Sequence, residues 1–243
     1  MLLLAGDDHT CKSSTLPHQS EYAFMDACIP VLNPAGVQEL LDLGLYGWAM
    51  SRYSGCWIAF KTIAETVDSS ASVEVGPERF EIVQPDDFEM PPGGLNIRWP
   101  DQPLDQEYRL HRYKLYAALA FARANRLDRI VIDSPRPRFG IVTTGKSYLD
   151  VRQALDDLGI DDAHAADIGY TPLQSGDVLA ARTRGDPALC RGTRRDPRRG
   201  RKARNHREPI QRSNFTIGAR TSAQGLSASL MSIGDGFCRR TAS

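Results

Sequence analysis

The distribution of charge along the chain divides it at about residue 170. Residues 1–170 contain 15 Lys and Arg and 25 Asp and Glu, whereas residues 171–243 contain 15 and 5, so the net charge of zero hides an acidic body and a basic tail. In the acidic body, short apolar runs alternate with segments of helical periodicity, which favours an α/β fold. After Tyr170 this periodicity fails, and the arginine-rich composition predicts a disordered tail.

The apolar runs predict where the strands and helices lie. Asn33 and Pro34 suit the N-cap and first turn of a helix. The spacing predicts that its apolar face packs against a sheet and comprises Val37, Leu40, Leu41, Leu45 and Trp48. Residues 76–103 are rich in Pro, Gly and Asp and predict a long loop, and residues 105–126 are rich in Ala and Leu and predict a helix. Strands are predicted at residues 2–5, 56–60, 71–75 and 129–133, with another just before Asn33.

Residues 140–147 read GIVTTGKS and match the phosphate-binding pattern G-x-x-x-x-G-K-[ST]. In a phosphate-binding loop the four middle positions curl and follow a buried strand, but residues 141–144 are all β-branched and suit an extended strand. Pro135 and Pro137 also exclude a central strand in front of the motif. We therefore predict a strand inside the motif, a tight turn at Gly145, and a helix capped by Ser147 that opens a second α/β unit.

Composition also restricts the class and location of the protein. No apolar run approaches the roughly 20 residues that a membrane-spanning helix needs, and MLLLAG lacks the features of a secretory signal. The five cysteines lie far apart with no CxxC pair, so this chain alone is not expected to build a zinc or iron–sulfur site. We expect a cytoplasmic protein in which Cys28 and Cys56 are buried thiols without chemical function.

The basic tail has two interpretations. Its arginines are typical of a nucleic-acid-binding arm, although no aromatic side chain lies between them to stack on bases. Alternatively, if the segment from Tyr170 onward is read one base out of frame with free codon choice, it can encode a strand, an amphipathic helix and a buried strand. We favour a one-base frameshift near Tyr170, and nucleic acid is then not expected as a partner.

Six segments carry a resemblance to a known family, and they cover most of residues 1–170. The chain resembles the long fused form of the indolepyruvate:ferredoxin oxidoreductases, which belong to the thiamine diphosphate-dependent 2-oxoacid oxidoreductases. The segments are GDDHTCKSSTLPHQSE, IPVLNPAGVQELLDLGLYGWAMSRYSGCW, TIAETVDSSASV, GGLNIRWPD, HRYKLYAALAFARANRLDRIVIDSPRP and GIVTTGKSYLDVRQALDDLGID.

The resemblance implies an oxidoreductase that decarboxylates indolepyruvate or a related aryl 2-oxoacid. In such an enzyme the reaction uses thiamine diphosphate with Mg²⁺, electrons leave through [4Fe-4S] clusters to ferredoxin, and coenzyme A takes up the acyl group. The intact parent is expected to be oligomeric. Its cluster-binding cysteines and its diphosphate-binding domain are missing from this sequence, so we expect this chain to hold no cofactor securely and to be inactive alone.

By the same resemblance, residues 1–134 look like the later part of the pyrimidine-binding domain, and residues 135–170 like the first strand and helix of the following α/β domain. Residues 171–243 would be an out-of-frame, disordered tail. No catalytic residue is expected in this chain, because the activating glutamate would lie upstream of Met1, and no metal ligand is expected. The residues implied to border the cofactor and substrate pocket are Asp7, Asp8, His9, Ser13, Ser14, His18 and Glu21.

From the residues alone, the same polar loop could simply cap backbone N–H groups at the end of a strand. The alternative function is a small α/β module that binds nucleotide or nucleic acid through the Lys146 region and the basic arm. The two hypotheses differ in the role of GIVTTGKS, because the alternative needs that segment to be open to a phosphate.

Overall fold

The structure is a computed structural model that describes residues 1–11, 15–176 and 215–219. In these ranges the chain forms two sheets flanked by helices, so the predicted α/β class is confirmed. The strands are β1 (Leu2–Asp7), β2 (Val31–Leu32), β3 (Ile58–Ile63), β4 (Asp128–Ile130), β5 (Phe139–Thr144), β6 (Tyr170–Ser175) and β7 (Phe215–Ala219). The α-helices are α1 (Glu21–Asp26), α2 (Val37–Ser54), α3 (Ala64–Val67), α4 (Pro103–Arg109), α5 (Leu115–Ala124), α6 (Lys146–Asp157) and α7 (Asp162–Ile168).

The first sheet has the strand order β1–β3–β2, and both pairs of neighbours are parallel. Leu2 lies opposite Ile58 at one end of the β1–β3 pair, and Asp7 lies opposite Ile63 at the other. Parallel neighbours need a crossover, which α2 supplies between β2 and β3. Because parallel strands end at the same edge, the polar residues after β1 lie beside the end of β3.

The core of this sheet is formed with α2 and α5. Met50, Ile58 and Phe121 are fully buried there, together with Leu32 and Phe60. The predicted apolar face of α2 is wrong in part, since Leu41, Leu45 and Trp48 are 44%, 50% and 60% exposed. The face that meets the sheet carries Leu43, Gly47, Met50, Ser51 and Ser54.

Gly47 explains why the buried face of α2 was missed. A Cβ at this position would lie 2.7 Å from Leu2 Cδ1 and 3.0 Å from Leu32 Cδ1. The helix therefore approaches the sheet through its small residues, and the strand side chains fill the space. The larger apolar residues Leu45 and Trp48 line a groove against the loop that contains Phe80 and Ile82.

The beginning of α2 also differs from the prediction. The helix starts at Val37 with Gly36 as N-cap, and neither Asn33 nor Pro34 lies in its first turn. Asn33 is instead buried between the two sheets, where its backbone N–H donates to Gly176 O (3.1 Å) and its Nδ2 donates to Thr144 Oγ1 (3.2 Å). Asn33, which the local pattern predicted to cap α2, therefore makes tertiary hydrogen bonds instead.

The segment between α3 and α4 is almost entirely loop, as predicted, with one 3₁₀ turn at Pro77–Arg79. The strand predicted at residues 71–75 does not form. Glu74 instead pairs its backbone with the side chain of Gln38, by Glu74 N–H to Oε1 (2.8 Å) and by Nε2 to Glu74 O (3.3 Å). The helix predicted over residues 105–126 is confirmed as α4, a π-helical turn at Leu110–Lys114, and α5.

The second sheet has the order β4–β6–β5–β7, in which β5 and β6 are parallel and the outer strands β4 and β7 are antiparallel to their neighbours. Helices α6 and α7 connect β5 to β6, which confirms the predicted second α/β unit. β4 is shorter than predicted. β6 continues to Ser175, so ordered structure extends past the boundary expected at residue 170, while most of the basic tail lies outside the described residues.

The surface of the described region carries many large apolar side chains. All three tryptophans of the chain are more than half exposed: Trp48 is 60%, Trp57 54% and Trp99 91% exposed.

Among the helices of the described residues, none combines the length and apolar composition needed to cross a membrane.

Candidate functional site

The polar residues at the end of β1 surround Asp7, whose side chain is fully buried. Its Oδ1 accepts a hydrogen bond from Ser20 Oγ (2.5 Å) and lies 3.1 Å from His18 Nδ1. Its Oδ2 accepts from the Ser20 backbone N–H (3.1 Å) and lies 3.4 Å from Lys61 Nζ. Both carboxylate oxygens are therefore engaged by the protein itself.

These contacts set the protonation state of Asp7. Burial raises the pKa of the carboxyl. The hydroxyl and backbone N–H of Ser20, the charge of Lys61 and the His18 contact lower it, and together they outweigh burial, so the pKa of Asp7 lies below the ordinary 3.8. Asp7 is consequently ionised at neutral pH. An ionised carboxylate only accepts hydrogen bonds, so His18 Nδ1 is the donor in this contact, and Nε2 is an acceptor whenever the ring carries one proton.

Lys61 is a site residue that the sequence analysis missed. It lies in β3 and is 2% exposed, and its Nζ forms an ion pair with Glu21 Oε1 in addition to its contact with Asp7. The signal was present, because a lysine inside the apolar run IAFKTI must find buried partners of opposite charge. Lys61 thus joins the end of β1 to the start of α1.

Glu21 lies inside the protein and not on a pocket wall. It is 5% exposed, and its Oε2 is a buried oxygen that has no partner among the described residues. Asp7, Glu21 and Lys61 together hold one negative charge in excess. A buried carboxylate oxygen without a donor carries a desolvation cost, which the excess negative charge of this cluster does not relieve.

The remaining candidates follow the loop between β1 and α1. Asp8 and His18 form an antiparallel bridge, with Asp8 N–H to His18 O at 3.3 Å and His18 N–H to Asp8 O at 2.9 Å. The bridge closes a loop in which His9 is exposed, and the side chain of His18 is 64% exposed. Ser13 and Ser14 lie outside the described residues. The structure therefore brings Asp7, Asp8, His18 and Glu21 together, and of these His18 is the most open to solvent.

The GIVTTGKS segment has the closed geometry that the sequence predicts. Residues 139–144 form β5, and Gly145 turns the chain directly into α6. Gly145 has φ +56°, and a Cβ there would lie 2.6 Å from Asn33 Oδ1. Lys146 Nζ pairs with Asp150 Oδ1 at 2.6 Å.

The predicted N-cap at Ser147 is wrong, because α6 already begins at Lys146 with Gly145 as its N-cap. The turn is filled by Asn33, so the middle of the motif neither curls nor leaves the space that a phosphate requires. This geometry removes the structural basis for a phosphate-binding loop.

The cysteines within the described part of the chain give no second site. Cys56 is buried, and this burial raises the pKa of its thiol to about 11. Cys28 is only half-buried, contrary to expectation, and its Sγ lies 3.9 Å from His111 Nδ1. Within residues 1–11, 15–176 and 215–219, no three His, Cys, Asp or Glu side chains are grouped so that they could hold a metal ion.

Comparisons with known proteins give a family match in the second sheet and similarities over most of the chain. A family model described as an indolepyruvate oxidoreductase domain matches residues 129–183, which include β4, β5, α6, α7 and β6. The indolepyruvate oxidoreductase subunit IorA of Pyrococcus abyssi is 27% identical over 179 residues, covering 71% of this chain and 27% of that protein. IorA of Methanothermobacter marburgensis is 24% identical over 183 residues, covering 72% of this chain and 28% of that protein.

These similarities support an oxidoreductase family as the class of the protein. Within that class they support the indolepyruvate oxidoreductases, in agreement with the resemblance in the sequence. The chain spans 26–28% of the length of these curated relatives.

Proposed function

We propose that the chain is part of an oxidoreductase that oxidatively decarboxylates indolepyruvate or a related aryl 2-oxoacid to the acyl-coenzyme A, with ferredoxin as electron acceptor. The proposal is carried by the similarity to IorA subunits over about 70% of the chain. The resemblance to the fused indolepyruvate:ferredoxin oxidoreductases adds thiamine diphosphate, Mg²⁺ and [4Fe-4S] clusters as groups of the intact parent. Since the relatives are named as subunits, we also propose that the parent works as an assembly.

The residues at the end of β1 restrict which part of thiamine diphosphate this chain would face. Asp7, Asp8 and Glu21 are carboxylates and would repel a diphosphate, so they do not suit that end of the cofactor. Residues 1–134 are thus proposed as part of a pyrimidine-binding domain, with the diphosphate and Mg²⁺ held elsewhere in the parent.

The contribution of this chain to catalysis would be to shape and orient. When bound, thiamine diphosphate supplies the carbanion that makes decarboxylation possible. The described polar residues after β1 would form one wall of the pocket, with the exposed His9 and His18 towards the ligand. Ser13 and Ser14 stay candidate residues of the same segment. Asp7 and Glu21 would support this wall from inside the protein. His18 Nε2 is placed to accept a hydrogen bond from a substrate or cofactor group at that wall.

The function is tested by assaying indolepyruvate-dependent reduction of methyl viologen in the presence of coenzyme A, thiamine diphosphate and Mg²⁺. The product of the complete parent reading frame is expected to turn over, and the purified chain of 243 residues is expected to show no activity. A parent product that binds neither thiamine diphosphate nor indolepyruvate would contradict the proposed reaction. Turnover by the isolated chain would contradict the proposal that it is a part of the catalyst.

The proposed frameshift is tested separately by sequencing the DNA around codons 165–190. The family match runs in the given frame to residue 183, so we propose that a change of frame lies beyond that residue and not near Tyr170. A reading frame that resumes the family similarity one base away would support this. A tail that is confirmed in frame, and whose nucleic-acid affinity falls steeply with salt, would favour the basic-arm hypothesis instead.

A further inference from the structure

Lys61 is buried between the last residue of β1 and the first residue of α1. It projects from the third-last residue of β3 and is 2% exposed, so water does not compete for its ammonium group. Its Nζ contacts Glu21 Oε1, at the first residue of α1, and Asp7 Oδ2, at the last residue of β1. The loop of residues 8–20 connects these two residues, so both of its ends are tied to one side chain.

The same side chain is linked to His18 through Asp7. Lys61 engages Oδ2 of Asp7, while His18 Nδ1 and Ser20 Oγ engage Oδ1. A cation on one carboxylate oxygen fixes the direction in which the other points, because the carboxylate is planar and rigid. An ionised and oriented Asp7 then holds the proton of His18 on Nδ1 and leaves Nε2 outward.

We propose that Lys61 is a positioning residue that, through Asp7 and Glu21, fixes the Nδ1–H tautomer of His18 and the backbone bridge between Asp8 and His18. The use of this arrangement in a cofactor or substrate pocket rests on the proposed function. The ion pairs of Lys61 are with the two carboxylates, so its effect on His18 is exerted through Asp7.

The substitution Lys61→Met tests the proposal because it keeps an unbranched side chain, one atom shorter, and removes the charge. The first measurement is the ¹⁵N spectrum of the imidazole rings at a pH where they are neutral, with His18 assigned from a His18→Gln sample. The second is hydrogen exchange of the Asp8, His18 and Ser20 amides, which donate within this arrangement. We expect the Nδ1–H form of His18 to dominate in the unsubstituted chain and to lose its majority in Lys61→Met.

Exchange of the three loop amides should rise at least tenfold in Lys61→Met, while amides in the middle of α5 keep their protection. Lys114→Met is the matched control, since Lys114 Nζ donates to Gly55 O at 3.4 Å and forms no ion pair with Asp7 or Glu21. In this control the His18 tautomer and the loop exchange should remain those of the original chain. An altered tautomer in the control would show that the effect is not specific to Lys61 and would overturn the proposal.

A paired variant keeps the test decisive if Lys61→Met does not fold. Lys61→Met together with Glu21→Gln restores the excess of one negative charge that the cluster has with Lys61 present, but it lacks the link between the two carboxylates. We expect a folded protein with rapid loop exchange and a mixed His18 tautomer. A folded variant with the original tautomer and slow loop exchange would overturn the proposal. Both measurements are made without cofactor, so failure of the decarboxylation assay would not be confused with failure of this inference.

Discussion

The ends of β1 and β5 both lead from a parallel strand towards a helix, but they are built in opposite ways. After Asp7 thirteen residues precede α1, and Lys61 pairs with the residue on each side of this segment, Asp7 and Glu21. After Thr144 a single residue, Gly145, turns the chain into α6, and the side chain of Asn33 fills the turn. The first strand end leaves an exposed polar loop, whereas the second is closed by packing.

This difference shows that a sequence motif indicates a site only when the surrounding chain leaves room for a ligand. GIVTTGKS has the letters of a phosphate-binding loop, yet its glycine is used for close packing between the two sheets. The GDDH segment matches no general phosphate pattern, yet it carries a buried ionised carboxylate and an exposed histidine. Four substitutions test whether this contrast is real.

The largest effect is expected for Lys61→Met. Removal of the ammonium leaves Asp7 and Glu21 as buried carboxylates without their common cation, which should lower the free energy of unfolding by about 3–5 kcal/mol. Urea unfolding followed by circular dichroism measures the change. Adding Glu21→Gln should recover part of the loss, and a loss below about 1 kcal/mol for Lys61→Met alone would show that the cluster is not buried as described.

Gly145→Ala should lower the free energy of unfolding by about 2–3 kcal/mol, because φ +56° with ψ −144° is a conformation open essentially to glycine alone. The new Cβ would also collide with Asn33 Oδ1. Gly44→Ala is the control, since its Cβ would meet open space in the middle of α2, and it should stabilise by about 0.5–1 kcal/mol. If Gly145→Ala does not lower the free energy of unfolding, Asn33 does not pack against the turn as described.

Ser20→Ala should cost about 1.5 kcal/mol at neutral pH by removing the hydroxyl that donates to Asp7. The folded-state pKa of Asp7 is depressed, so its contribution to stability is present above the unfolded pKa, near 3.8, and is lost as the pH falls through the folded pKa. The difference between Ser20→Ala and the original chain should therefore shrink below about pH 4.

Urea unfolding between pH 3 and 7 measures this dependence on protonation. Ser134→Ala is the matched control, because the buried Ser134 hydroxyl donates to a backbone carbonyl, Ala166 O, and not to a carboxylate. Its cost should be the same across the pH range. A cost of Ser20→Ala that is equally flat would contradict the assignment of an ionised, hydrogen-bonded Asp7.

The smallest effect is expected for Lys146→Ala, which removes an exposed pair with Asp150 on α6. Such pairs contribute about 0.5 kcal/mol or less, so unfolding should barely change. Because the turn at Gly145 is closed, ATP and GTP should not bind to the original chain, and calorimetric titration of either nucleotide should give no heat above dilution. Saturable binding of ATP or GTP that Lys146→Ala abolishes would show that the end of β5 is open to a phosphate and would contradict the closed turn.

The local pattern predicted those parts of the fold that depend on local chemistry. The apolar runs identified β1 and β3, and the β-branched residues of GIVTT identified β5. Helix α2 was predicted, but its buried face was predicted only in part, because the pattern does not show that Gly47 allows the sheet to approach so closely. Asn33 was assigned to a cap for a similar reason, since its actual partner Thr144 is 111 positions away in sequence.

The position of the candidate site could be predicted from the sequence, but the contacts between its side chains could not. The resemblance directed attention to Asp7, His18 and Glu21, and the structure places them close together. What the sequence could not reveal is that Asp7 and Glu21 point inwards to Lys61, since that contact depends on the parallel pairing of β1 with β3. Buried ionic contacts arise from tertiary structure and leave only an indirect trace in a sequence, in this case one lysine in an apolar strand.

The exposure of Trp48, Trp57 and Trp99 has a consequence for optical experiments on this protein. Indole rings already in contact with water emit at long wavelength, so unfolding should shift the emission spectrum very little. The same rings should respond strongly when a surface around them is covered. Intrinsic fluorescence is therefore a weak reporter of folding for this chain and a sensitive reporter of its association with other molecules.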